Sequence, residues 1–263
     1  MQIEQFAKAV VAGDTLDAKL SPPTAELEDS VRGDGAAPAA PGRPPDLSIQ
    51  SGPRTKVPPL EGMADPAQRG RILHAFVNHE LQAVELFAWA LLAFPDTPAA
   101  FRRGLLGTLL DEQRHALLYI ERLQQFGLAF GELPVSGYFW SKLEQMSSPL
   151  GFLCAMSLTF ENANLDHTLD YALAAESAGD PATAAVMREV HADEVRHVAF
   201  GLKWLARFKR PTESLAQAYE ASLSWPLRPA LARGPRLHLR PRQEAGFDAE
   251  FVELLERPDP SAP

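Results

Sequence analysis

"DEQRH" at residues 111–115 and "DEVRH" at 193–197 write the pattern Asp-Glu-x-Arg-His twice, about eighty residues apart. A solvated helix face can use these residue types but has no need to repeat their order. A pattern this specific arises by chance in roughly one such chain in several hundred. The repeat therefore needs a physical cause, and the surrounding periodicity supplies one. Residues on one helix face recur at i, i+3, i+4 and i+7. Through Glu112 that face reads Leu105, Thr108, Leu109, Glu112, His115, Ala116, Tyr119, Leu123. Through Glu194 it reads Met187, Val190, His191, Glu194, His197, Val198, Gly201, Leu205. Each is an apolar stripe with a carboxylate and a histidine in its middle.

Two more stripes carry one acid each. Leu73, Phe76, Val77, Ala83, Val84, Phe87 and Leu91 flank Glu80, and a more polar face of Ser157, Leu158, Asn164, Leu165 and Thr168 flanks Glu161. Helix boundaries around these stripes share one style. Asp65-Pro66, Thr97-Pro98, Ser148-Pro149 and Asp180-Pro181 each place a capping oxygen before a proline at the first helical position. Pro95, Gly127, Gly179 and Pro211 supply the stops. The expected helices lie near 66–94, 98–126, 149–178 and 181–209, with a long link at 127–148 that holds a short helix around 138–146. Two helical hairpins joined by a long crossover predict an all-α chain whose residues 65–210 form a ferritin-like four-helix bundle.

Residues 1–64 read as a short helix over 1–12 followed by a proline-rich arm. Ten prolines between 21 and 66 forbid regular helix there. The arm is either disordered or an extended strap anchored by Leu47, Ile49, Val57 and Leu60. Residues 211–263 are expected to hold one more helix, an Arg/Pro-rich stretch and a final helix near 243–256. The stretch "RPALARGPRLHLRPR" (228–242) is either a site for an anionic substrate or RNA, or a solvated or packed loop.

Four carboxylates aimed into an apolar interior repel one another and lose hydration, at several kcal/mol each. Two divalent cations would cancel their charge. Glu and His three residues apart are about 4.5 Å apart along a helix, so both can reach one ion. A Glu from each of two helices plus Glu-x-x-His from each of the other two is the ligand pattern of di-iron and di-manganese carboxylate proteins. The expected metal ligands are thus Glu80, Glu112, His115, Glu161, Glu194 and His197. Oxygen-rich ligation with one imidazole per ion suits two irons, or manganese in place of one or both, better than structural zinc. Ligating histidines use the second ring nitrogen on a carboxylate. Asp111 and Asp193 are the expected partners, with Arg114 and Arg196 neutralising them. Tyr119 is either a redox or proton group near the metals or a core tyrosine. His191 is either an outer partner of the site or a plain buried histidine. Glu85, His79, Asp166 and His167 lie off the main stripes and read as surface or outer groups.

Composition narrows the setting. A net charge of −9 argues against nucleic acid and anionic membranes as partners. The longest apolar run, "LFAWALLAF" at 86–94, is far shorter than the ~20 residues a membrane span needs. "MQIEQFAKAVVAGDTL" has no basic start and no signal-like apolar run, and one cysteine excludes an intrachain disulfide and a thiolate cluster. A cytoplasmic protein is expected.

At the ligand residues the chain resembles the di-iron carboxylate superfamily, whose oxygenase members carry Asp/Glu-Glu-x-Arg-His twice. "NHELQAVELF" (78–87) is similar to the first ligand helix of ferritins, which selects Glu80 over Glu85. "GDTLDAKL" (13–20), "PGRPPDL" (41–47), "HELQAVEL" (79–86), "DEVRHVAFG" (193–201) and "EAGF" (244–247) resemble the family called domain of unknown function 455. That likeness spans nearly the whole chain. It implies a di-metal fold and no agreed substrate. The expectation is an O2-activating non-haem oxidoreductase, a hydroxylase, oxygenase or oxidase. It would act on a small organic substrate with an external electron donor, as a monomer or small oligomer. The rivals are an iron-handling or peroxide-scavenging protein of ferritin or rubrerythrin type, and a non-catalytic bundle stabilised by metal.

Overall fold

The computed structural model describes residues 1–49 and 56–259. The described chain is helical, with no strand and one isolated bridge between Gln2 and Glu28. It divides into two compact units: Met1–Leu143 with Ser177–Gly179, and Glu144–Glu176 with Asp180–Pro263.

In the first unit, α1 (Ile3–Ala12) and α2 (Leu16–Leu20) precede the long α3 (Pro66–Ala93) and α4 (Ala99–Gln124). Asp65 caps α3 by accepting from the Gln68 amide. Helix α3 is buried around most of its circumference because α4 covers one side and α1 another. The apolar face of α1 (Ile3, Phe6, Ala7, Val10, Val11) is buried in the same core. The Thr97 cap does not form: Pro98 precedes α4 with no side-chain cap, and the Thr97 hydroxyl donates to the Phe94 carbonyl at 2.7 Å. The α3–α4 turn claims that hydroxyl for an orphaned carbonyl at the end of α3. The short helix expected around 138–146 is a 3-10 stretch, Trp140–Met146.

The described arm is a strap, held mainly by polar groups. Glu85 is fully buried on α3 and meets Lys19 Nζ at 3.0 Å and Arg43 Nη2 at 2.7 Å. Trp140 Nε1 donates to it at 2.8 Å. Lys19 Nζ also donates to the Val10 carbonyl, and burial holds its ammonium below the usual lysine range. Arg102, fully buried, takes Asp29 at 2.9 Å, and Trp89 donates to the Pro38 carbonyl. Of the expected apolar anchors, Leu47 is buried and Leu60 half-buried, whereas Ile49 and Val57 are 39% and 47% exposed. Residues 50–55 of the expected strap lie outside the described residues. Glu85 is correspondingly no surface group: two cations of the preceding chain close on it.

The second unit opens with one helical rod, α5 (Pro149–Ala155), a π-helical turn (Met156–Phe160) and α6 (Glu161–Ser177). Then follow α7 (Pro181–Phe208), α8 (Leu215–Ser222), α9 (Leu239–Ala245) and α10 (Ala249–Glu256). Ser148 and Asp180 cap α5 and α7 as expected. The final helix expected near 243–256 is two helices, broken at Gly246. Leu158, Leu165, Val198, Leu205, Tyr219, Phe251 and Leu255 form its core. The 228–242 stretch is fastened by its own arginines. Arg242 and Asp166, both fully buried, pair at 2.6 Å, and Arg242 also donates to the Asn162 and Ala232 carbonyls. Arg228 takes Asp259 and Arg240 takes Glu244. Asp166, expected off the core, is therefore the acid on which the segment closes.

Two stability outcomes follow from this packing. Glu85→Ala leaves two buried cations without their anion, a change that costs about 3–5 kcal/mol. Its urea midpoint should fall accordingly, and limited proteolysis should open the segment from Lys19 to Leu47. An unchanged midpoint would show that the cluster is hydrated. Burial also pushes the His74 imidazole down to about 4, while the unfolded value is about 6.5. Between those pH values the unfolded chain binds a proton that the folded chain refuses. Stability is therefore lost as pH falls through that window, by at most about 3 kcal/mol. His74→Gln should flatten this part of the urea-midpoint profile between pH 7 and 4.

Candidate metal centre

Each unit brings together one buried triad of two glutamates and one histidine. In the first unit Glu80 comes from α3 and Glu112 with His115 from α4, at 5%, 1% and 0% exposure. Each offers one ligand atom, and these atoms lie within 4.8 Å of one another. Leu73, Val77, Val84 and Phe87 before and after Glu80, and Leu105, Leu109, Ala116 and Leu123 around Glu112, are all buried. The apolar stripe thus fixes the rotation of each helix about its axis, and the acid follows because it occupies a stripe position. His115 Nδ1 lies 3.7 Å from Glu112 Oε2, so both ligand-type atoms point the same way from one turn.

In the second unit the triad is Glu161 on α6 with Glu194 and His197 on α7, at 5%, 1% and 3% exposure and with the same 4.8 Å closeness. His197 Nδ1 lies 3.8 Å from Glu194 Oε2, nearly matching the first unit. Asn164 Nδ2 donates to Glu194 Oε1 at 2.6 Å, which turns the other oxygen of that carboxylate away from the amide. Glu194 Oε2 is buried and has no hydrogen-bond donor among the described residues. An ionised oxygen in that state is costly, at ~1–3 kcal/mol or more. A cation would remove the cost, and the donor set of carboxylates with imidazole suits one. The residues present therefore fit a transition-metal ion.

Local backbone aims this triad. The π turn Met156–Phe160 ends at Glu161, adding a residue to the turn and rephasing everything before it. The Thr159 hydroxyl donates to the Cys154 carbonyl five residues back at 2.7 Å. With its one proton so used, Thr159 accepts from the Tyr219 hydroxyl, also at 2.7 Å. Tyr219 on α8 is fully buried, and burial pushes its phenol far above the usual range, so it stays a donor. Gly201 on α7 completes the fit: a Cβ there would stand 2.6 Å from Ser157 Cβ. Only glycine lets α7 approach the π turn this closely.

Asp111 and Asp193 face Arg114 and Arg196 in ion pairs. The first is loose at 3.9 Å and partly exposed; the second holds a buried Asp193. Tyr119 is buried with its ring 5.6 Å from that of Phe76. His191 bonds Thr168 through Nδ1 at 2.9 Å and stands outside both triads. Sequence reading placed Asn164 on the ligand face without assigning its bond to Glu194. Its position three residues after Glu161 was the available signal. Nothing in the spacing marks the π turn or Tyr219, whose partner lies sixty residues away.

Tyr219→Phe removes a bond that fixes the π turn and should cost about 1–2 kcal/mol, since Thr159 loses its buried donor. Thr159→Val should cost as much, and the double variant should fall short of the sum in a urea-denaturation cycle. Strict additivity would mean that the two groups do not interact.

No curated protein and no solved structure gives a significant match to the chain. One family model does, over residues 3–253, and its description is "Protein of unknown function (DUF455)". That span includes the strap, both triads and most of the C-terminal helices, and the chain belongs to the DUF455 family.

Proposed function

We propose that the two triads complete one di-metal carboxylate centre in a ferritin-like four-helix bundle, and that the protein is an O2-dependent oxidoreductase. One observation carries this reading: the same Glu plus Glu-x-x-His triad is built twice, each time buried and with its ligand-type atoms within 4.8 Å. Glu80, Glu112 and His115 would hold one ion, and Glu161, Glu194 and His197 the other. Two iron ions, or manganese in place of one or both, would supply the redox equivalents and O2 affinity that these side chains lack.

The chain's own groups set the rest. Asn164 holds one oxygen of Glu194 and presents the other. The Asp193–Arg196 pair stays beside its ligand turn. Apolar stripes exclude water from the carboxylates, which strengthens every charge interaction there. Hydroxylation would consume R–H, O2, two electrons and two protons and yield R–OH and water, with an external donor supplying the electrons. The packed strap also favours an enzyme over a storage shell, since it covers the first unit with chain that a cage subunit does not need.

Metal analysis of the purified protein should find close to two transition ions per chain. Glu112→Ala and His197→Ala should each lose at least one, and chelation should lower the melting temperature because buried carboxylates lose their counter-charge. Full metal content in both variants would remove the assignment. Sizing chromatography after iron loading in air separates the rivals. A monomer or small oligomer that keeps two ions and consumes O2 with reductant supports the oxidoreductase. A large assembly with hundreds of irons supports storage, and metal retention without O2 uptake supports a structural role.

A further inference from the structure

The second unit holds a solvent-open pocket of about 470 Å³ beside α9, apart from the triad residues. Leu169, Leu239 and Pro241 give it apolar walls, and His191 and His238 add two imidazoles. Arg240 and Glu244 also line it and pair with each other at 2.9 Å, so their charges cancel.

Hydrogen-bond direction fixes what His191 offers. The Thr168 hydroxyl donates its only proton to the Asn164 carbonyl at 2.7 Å. Toward His191 Nδ1, 2.9 Å away, it can only accept, so Nδ1 carries the ring proton. Burial holds the His191 imidazole below its usual range, which keeps the ring neutral near pH 7. Its Nε2 is then a bare acceptor. His238 is fixed differently, with Nε2 donating to Asp170 at 2.9 Å and its backbone amide to Asp166. The polar demand of the pocket is thus for a hydrogen-bond donor, within apolar and aromatic walls and without net charge.

We propose that this pocket binds a small neutral aromatic alcohol, its hydroxyl donating to His191 Nε2 and its ring lying against Leu169, Leu239 and Pro241. An uncharged ring suits the cancelled Arg240–Glu244 pair, and imidazole rings favour aromatic neighbours. A pocket of this size accommodates a single ring with room to spare. His191 stands three residues before Glu194 on α7, and Thr168 and Asn164 join the two: Thr168 touches His191 and Asn164, and Asn164 touches Glu194. His191 is therefore tied to the carboxylate of the triad through three hydrogen bonds, and an occupant adds a fourth. Binding itself requires no metal.

The test titrates phenol, anisole and benzoate into full-length protein, both as purified and after chelation, followed by calorimetry and by 15N shifts of labelled histidine. Phenol should bind saturably at one site and move the His191 Nε2 resonance in both preparations. Anisole, which lacks the donor, should bind about two- to tenfold more weakly, and benzoate more weakly still. His191→Phe should abolish the preference for phenol over anisole. If that variant fails to fold, Leu169→Trp, which fills the pocket, should abolish phenol binding. Equal affinity for phenol and anisole, or phenol binding untouched by Leu169→Trp, overturns the proposal. Because the chelated protein is one arm, these results stand whether or not two metals are found.

Discussion

A carboxylate held at a few per cent exposure must be met by positive charge or by a dense set of donors. This chain buries acids repeatedly, and its architecture follows from how each is met. Glu85 closes on Lys19 and Arg43, Asp29 on Arg102, and Asp166 on Arg242. In each case one partner lies on a long helix and the other on flanking chain. Burial of the acid thereby becomes the attachment of a strap or a tail. The four triad glutamates follow a different rule: within each unit two of them are grouped with each other and with a histidine. Grouping like charges makes physical sense where a multivalent cation is the intended partner.

The helices were legible because their determinants are local. Proline at the first helical position, an oxygen before it and glycine or proline after the stripe place α3, the rod from α5 through the π turn to α6, and α7 within a residue or two of the expected limits. Thr97 departed because a carbonyl of the preceding helix competed for its hydroxyl, a contact that depends on turn geometry. The six ligand-type residues were legible for the same local reason, since each occupies a position of an apolar stripe. Repetition of the pattern raised the signal above that of a lone Glu-x-x-His.

What the sequence concealed is long-range and polar. Hydrophobic anchors are a poor guide to the strap, since two of the four expected ones, Ile49 and Val57, are exposed. Its real attachments are Lys19, Asp29 and Arg43, which carry no local sign of burial because their buried partners lie tens of residues away. The Arg/Pro-rich tail left two readings open, and the structure favours the packed or solvated loop: Arg228, Arg240 and Arg242 each find a carboxylate within their own chain. The π turn was invisible because periodicity analysis assumes 3.6 residues per turn, and one inserted residue preserves every residue type while changing the phase.

The two triads are copies in pattern but not in support. The ligand helix of the first unit that carries Glu80 also carries Glu85, five residues on, where chain preceding the helix clamps it. The helix of the second unit that carries Glu161 also carries Asp166, five residues on, where chain following α7 clamps it. Five residues amount to 500° of helical rotation at 100° per residue, or 140° from the ligand face. Each clamp thus grips nearly the opposite side of the helix from the triad glutamate. A glutamate turned inward and an acid gripped from behind fix both the rotation and the depth of the helix. The N-terminal strap and the C-terminal tail, unrelated in sequence, serve the same mechanical end for their respective triads. Losing either clamp would loosen the aim of one ligand helix while leaving the apolar stripe of the other unit in place.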